Sequence, residues 1–287
     1  MRITAPKKRP CCAILVAAHT SFAYLQLTNF MAHPQEVSTQ TELNMRKVLL
    51  GTASLMIAAT TAMPAYSQDV SVSTSIDLVS DYVFRGVSLA DTAIQPGVEV
   101  AVGDFTVGAW FSTGFGETSI LAGDELDLYA SYSFALSDTV STDVGITYYH
   151  YPQGGSLFST NDGGSGTYEV FASVGFDTTL APSVSAYYDF TLEAFTVEGG
   201  VGHSFAAGDK TSFDLGATVG LVDGDGFSYE YGSASASLGY AFTDAVSAYV
   251  GANYALSSED TLNYRKILQG GGEDNLLFFG AGVAAGF

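Results

Sequence analysis

The sequence predicts an all-β fold, a transmembrane antiparallel up-and-down β-barrel of about twelve strands behind an N-terminal signal peptide. Three observations predict it. Apolar and polar residues alternate with period two from residue 71 to the end, as in strands with one apolar face. The chain is 47% hydrophobic with a mean hydropathy of +0.22, yet no apolar run of about 18 residues follows residue 67. The connections between the predicted strands alternate between tight and long. Only helices and closed barrels satisfy every backbone group in lipid, so membrane-like composition without membrane helices leaves the barrel.

The first element is a processing segment. Met45-Arg46-Lys47 is a basic start, Val48 to Ala59 a compact apolar stretch, and Ala65-Tyr66-Ser67 carries the small residues of a cleavage site. Residues 45–67 read as a signal peptide, with cleavage before Gln68. Residues 1–44 read as an upstream extension, from a misassigned start or an extended signal. Cys11 and Cys12 lie there, without a lipobox or a second ligand pair, so the mature barrel, 68–287, has no cysteine and needs no disulfide.

The alternation places strands near 71–87, 95–102, 105–113, 125–135, 140–151, 167–176, 183–190, 194–205, 211–221, 229–242, 245–255 and 276–287. In the fourth, Leu126, Leu128, Ala130, Tyr132 and Phe134 alternate with Glu125, Asp127, Tyr129, Ser131 and Ser133. Gly103-Asp104, Ser137-Asp138, Thr178 to Pro182, Gly208-Asp209 and Thr243-Asp244 are tight turns. The opposite connections, 88–94, 114–124, 152–166, 222–228 and 256–275, are longer, with 191–193 the exception. Short turns at one end and long loops at the other are the habit of outer-membrane barrels, and an even strand count puts both termini at the short-turn end.

Aromatic residues mark the rims. Strands running toward the short turns end in Phe134, Phe176, Phe205, Phe242 and Phe287, and Phe105 and Phe213 open strands at the same level. This is the pattern of an interfacial girdle. A second group, Tyr82, Phe111, Tyr148, Tyr188 and Phe195, falls near the long loops. The chain stops inside its last strand, at Phe287, and a terminal Phe there resembles the sorting signal read by the outer-membrane assembly machinery. Pairing that strand with the first removes an exposed apolar edge.

If the apolar register faces lipid, the other face lines the lumen. That face carries Asp77, Asp81, Glu99, Glu125, Asp127, Asp143, Glu169, Asp189, Glu198 and Asp214, against Arg85 as the strand-borne base. The whole chain has 10 Lys and Arg against 30 Asp and Glu, and cleavage leaves Arg85, Lys210, Arg265 and Lys266 as the bases. Nucleic acid is excluded as a partner, because phosphate binding needs basic clusters. Carboxylate rings favour cations over anions. A hairpin centred near Asp91 puts Gly97 opposite Arg85 and Glu99 diagonal to it. Arg85 then reads either as a constriction element facing acids across the pore or as a structural partner of Glu99.

Ser80-Asp81-Tyr82-Val83-Phe84-Arg85-Gly86-Val87-Ser88, followed by Ala93-Ile94-Gln95-Pro96-Gly97, resembles the opening of the TorF-type porin family of proteobacteria, and Glu125-Leu126-Asp127-Leu128-Tyr129 is similar to it too. The resemblance spans most of the mature region and implies an outer-membrane channel without catalytic residues.

The expected function is passive diffusion of small solutes or cations through an acidic lumen, without a cofactor. The expected surroundings are outer-membrane lipid and lipopolysaccharide. One alternative is a non-conducting adhesin or structural barrel acting through loops 152–166 and 256–275. Another is a hydrolase using His150 with a loop serine, although His150 and His203 fall near opposite rims, outside hydrogen-bond reach of each other. Asp223-Gly224-Asp225-Gly226 resembles half a calcium loop but lacks the closing glutamate, so it reads as a surface turn. The Gly-rich 152–166 loop reads as an outer loop or an inward plug.

Overall fold

The computed structural model describes residues 70–115, 124–160 and 165–287. The expectations for 1–44, 45–67, Cys11, Cys12 and cleavage before Gln68 lie outside these residues, as do Gly163 and Gly164. The strands are β1 (Val70–Val79), β2 (Tyr82–Phe84), β3 (Val87–Ala90), β4 (Ala93–Val102), β5 (Phe105–Gly114), β6 (Glu125–Ser137), β7 (Val140–His150), β8 (Thr167–Phe176), β9 (Ser183–Asp189), β10 (Ala194–Ala206), β11 (Thr211–Gly224), β12 (Phe227–Ala241), β13 (Val246–Ser257) and β14 (Asn275–Gly286). A short α-helix, α1 (Tyr264–Leu268), sits in the connection before β14.

Twelve of these strands close an antiparallel barrel in which each pairs with its neighbours in sequence, β2 and β3 set aside. β14 closes onto β1, from Ser73 opposite Gly286 to Val79 opposite Gly280. Backbone bonds between Val72 and Phe287 extend the seam to the last residue.

The barrel is apolar outside and polar inside, the reverse of a water-soluble sheet protein. On β11, Val219 is 67% exposed, whereas Asp214 is 2% exposed. Ile76, Leu78, Val98 and Val283 likewise face out, while Ser75, Asp77, Glu99 and Thr106 face in. The turn-side phenylalanines Phe105, Phe134, Phe176, Phe205, Phe213, Phe242 and Phe287 are all exposed, as a girdle requires.

One connection differs from expectation, and the expected exception holds. The segment expected as a loop over 222–228 is nearly all strand, because β11 and β12 pair as far as Gly224 opposite Phe227, and Gly226 turns the chain at φ +81°. The tight 191–193 turn is held by Asp189, whose Oδ1 accepts from the backbone N–H groups of Thr191 and Leu192, both at 2.8 Å.

The larger correction concerns the first strand. It does not run to residue 87. β1 stops at Val79, and the chain makes a separate hairpin, β2–β3, before β4 begins opposite it with Ala93 facing Val79. Glu99 therefore faces Ser73, and the register that placed Gly97 opposite Arg85 is wrong. The β-branched and aromatic run Tyr82-Val83-Phe84 favours strand and hides the break. The break shows instead in the backbone: Arg85 and Gly86 lie at φ +41° and +77°, which extended strands do not adopt. Tyr82, expected at the outer rim, is buried in this hairpin.

Candidate functional site

The hairpin 82–90 folds into the barrel, and every residue from Tyr82 to Asp91 is buried. Two apolar faces explain its position. Tyr82, Phe84, Val87 and Leu89 pack with Trp110, which points inward from β5. Val83 packs on the opposite side with Ala255, Leu262 and Phe278, from β13, β14 and the connection between them. The hairpin is thus wedged between β5 and the β13–β14 pair at the long-loop end.

Its tip is pinned by charge. Arg85 Nη1 donates to Glu169 Oε2 at 2.8 Å and Nη2 donates to Oε1 at 3.1 Å, a bidentate pair between two fully buried side chains. Tyr149 Oη donates to the same carboxylate at 3.0 Å, and the guanidinium carbon lies 4.0 Å from the centre of the Tyr187 ring. Tyr82 Oη and Tyr151 Oη each donate to Glu125 at 3.3 Å. The connection 258–274 covers the hairpin from outside. Thr261 Oγ1 donates to the Gly86 carbonyl at 2.6 Å, Ser88 N–H to the Thr261 carbonyl at 2.9 Å, and Asn263 N–H to Ser88 Oγ at 3.0 Å. Arg265 pairs with Asp91.

The acids singled out in the sequence fall into two groups. Asp77, Glu99, Glu125, Asp127, Asp143, Glu169, Asp189, Glu198 and Asp214 all stand on inward positions of barrel strands. Asp81 does not. It lies in the link between β1 and β2, half-buried, accepting from Ser80 Oγ at 3.0 Å. Burial lifts its carboxyl above the ordinary value, with Asp91 adding to the rise and Ser80 and Arg265 opposing it. Arg85 meets Glu169 across the lumen, not Glu99. The structure therefore brings Arg85 and Glu169 together, and leaves Asp143 and Asp214 nearer the turns, with serine partners Ser133 and Ser212.

Sequence reasoning missed the tyrosines. Tyr129 donates to Glu99 at 3.0 Å, Tyr231 to Glu198 at 2.6 Å and Tyr249 to Asp77 at 2.8 Å. One geometry repeats three times. Tyr129 faces Gly108, which faces Glu99; Tyr231 faces Gly220, which faces Glu198; Tyr249 faces Gly282, which faces Asp77. Each ring lies over the glycine of the middle strand and reaches a carboxylate two strands away. A Cβ on Gly108, Gly220 or Gly282 would come within 2.5 Å of the covering ring. The signal was available as an inward Tyr, Gly and acid in matched positions on three successive strands.

The remaining candidates sit elsewhere. His150 is on the outer face at the loop-side rim, stacked on Tyr148 at 6.1 Å. His203 is at the turn side, its Nδ1 2.6 Å from the Thr179 carbonyl oxygen. Residues 152–158 are exposed at the rim, whereas the hairpin 82–90 lies buried within the barrel. Among the described residues, no three His, Cys, Asp or Glu are arranged to hold a metal ion.

Residues 62–193 match the model of a bacterial protein family of unknown function, Gcw_chp. No curated protein sequence matches the chain. Among solved structures, the NanC porin is 14% identical, with a TM-score of 0.48 over 75% of this chain and 98% of that one. The KdgM porin is 12% identical, with a TM-score of 0.47 over 76% and 99%. An outer-membrane channel from Pseudomonas putida F1 is 10% identical, with a TM-score of 0.43 over 79% and 97%.

Proposed function

We propose that the chain is a bacterial outer-membrane channel for passive diffusion of small solutes, with a preference for cations. The supporting observation is the inverted barrel, whose apolar outer face suits hydrocarbon while its inner face carries nine carboxylates against the single guanidinium of Arg85 among the described residues. Fixed carboxylates attract cations and repel anions over a Debye length of roughly 8 Å at physiological salt. Toward the turns the inward positions are small, among them Ser173, Gly202, Gly216, Ser235 and Ser237, which leaves width for water. The narrow part is the hairpin at the loop end. The resemblance of residues 80–97 to the TorF-type porin opening points the same way.

In this reading residues 45–67 direct export, residues 68–287 form the barrel, and Phe287 engages the assembly machinery. The lipid-facing strands then contact outer-membrane lipid and lipopolysaccharide. Purified barrel in a planar bilayer tests the proposal. A salt gradient is expected to give a reversal potential of cation-selective sign, reduced in a Glu99→Gln, Asp127→Asn variant. An unchanged potential would remove the acidic lumen from the explanation. Silence of both the wild type and a variant lacking 82–90 would favour the adhesin or structural barrel.

A further inference from the structure

The pocket that holds Arg85 has the chemistry of a receptor. Glu169 presents two oxygens to two guanidinium N–H groups, and Tyr187 presents a ring face 4.0 Å from the same group. Tyr149 fixes the carboxylate by donating to Oε1. Glu169, Tyr149 and Tyr187 come from β8, β7 and β9, so the pocket belongs to the barrel wall, whereas Arg85 belongs to the inserted hairpin.

We infer that Glu169, Tyr149 and Tyr187 form a binding site for a guanidinium group, which Arg85 occupies as a tethered stand-in, so that guanidinium-bearing cations compete with Arg85 for the wall. This deepens, and rests on, the channel reading, since it names the class of solute. The geometry selects that class. A planar cation with two adjacent N–H donors matches a carboxylate edge and stacks on an aromatic face. A strongly hydrated inorganic cation uses the charge alone and gains little from Tyr187.

The displaceable occupant is the Arg85 side chain, while the hairpin stays docked through its two apolar faces. The tip residues Arg85 and Gly86 sit at positive φ, held by contacts to the pocket and to the connection 258–274. A tethered ligand competes at an effective concentration of about millimolar or more, so a free cation displaces Arg85 only when concentrated.

The test compares the folded barrel as wild type, Arg85→Ala and Arg85→Ala with Glu169→Gln, using ethylguanidinium as probe and sodium as control. Thermal unfolding and channel current are both read. Ethylguanidinium at a few millimolar is expected to raise the unfolding temperature of Arg85→Ala, with at least tenfold weaker effect on wild type and none on the double variant. Sodium is expected to leave the three undistinguished. Ethylguanidinium is also expected to block current through Arg85→Ala at concentrations that leave the wild type unaffected. Should Arg85→Ala fail to fold, Arg85→Lys keeps the charge without the fork and is expected to bind the probe more tightly than wild type does. The inference is overturned if the folded Arg85 variant responds no more than wild type, or if Glu169→Gln leaves its response intact. Probe binding without current in any variant would sink the channel and leave the site standing. Current without a probe response would do the reverse.

Discussion

A glycine is the residue on which each of the contacts from Tyr129, Tyr231 and Tyr249 to its carboxylate depends. Gly220 has the Tyr231 ring 2.2 Å from the place a Cβ would take, and that ring carries the 2.6 Å bond to Glu198. Gly220→Ala is therefore expected to lift the ring, break the bond and cost about 1–3 kcal/mol from overpacking, beyond the hydrogen-bond loss alone. Tyr231→Phe, which loses only the hydroxyl, gives that second loss by itself. Urea unfolding of the two variants in the same lipid compares them, and a Gly220→Ala as stable as wild type would show that the ring does not lie over the strand. Gly86 makes a second case, since its φ of +77° and the Tyr231 Cβ 2.6 Å from its missing Cβ both oppose any side chain. Gly86→Ala is expected to loosen the hairpin by at least the roughly 1–2 kcal/mol of a left-handed L-residue, seen as faster amide exchange at Ser88. At this scale the sequence revealed the acids but not their partners. Alternation tells which face a residue takes, whereas the tyrosine contacts depend on cross-strand register, which one residue of slip changes entirely.

Elements separate into those set by local pattern and those set by distant contacts. β4 to β14 follow period-two alternation and turn residues, and their expected positions agree with the barrel to within a few residues, save where Gly226 tightens a loop into a hairpin. The hairpin β2–β3 was not legible, because Tyr82-Val83-Phe84 is made of strand-favouring residues and reads as the continuation of the strand before it. What moves it inside is the company of Trp110, Ala255 and Phe278, residues far away in sequence. Its lid, the connection 258–274, carries an electrostatic clasp with a definite pH response. Glu273 accepts from Lys266 Nζ and, at 2.7 Å, from Asn263 Nδ2; with Lys266 the larger cause, both contacts hold its carboxyl below the ordinary 4.5. A depressed carboxyl contributes its stabilisation fully above its unfolded value and loses it as pH falls through the folded one. The clasp is exposed, so the effect is small and local. Titration of the α1 amide chemical shifts is expected to show a midpoint below 4.5, moving up in Lys266→Met. A wild-type midpoint at or above 4.5 would contradict the clasp.

For the whole molecule the governing fact is that polarity is inverted across one layer of backbone. Closure between β1 and β14 satisfies the edges that such an apolar exterior would otherwise leave open, so the barrel forms as a unit. This was the most legible level of all, since composition, alternation and turn lengths each report on the environment of the entire sheet. The inversion makes a directional prediction about charge. Val219 lies near the middle of β11 on the outer face, and Ser237 lies on the inner face of the adjacent β12. Val219→Arg places a guanidinium in hydrocarbon and is expected to cost about 2–4 kcal/mol in a bilayer. Ser237→Arg places the same group on the acidic inner face beside Asp214 and is expected to cost much less; under the proposed channel reading it also reduces cation selectivity. Reversible folding into lipid vesicles measures the first effect, and reversal potential the second. Equal stability of the two variants would mean that the two faces meet the same surroundings, and the barrel would then not be embedded as its pattern requires.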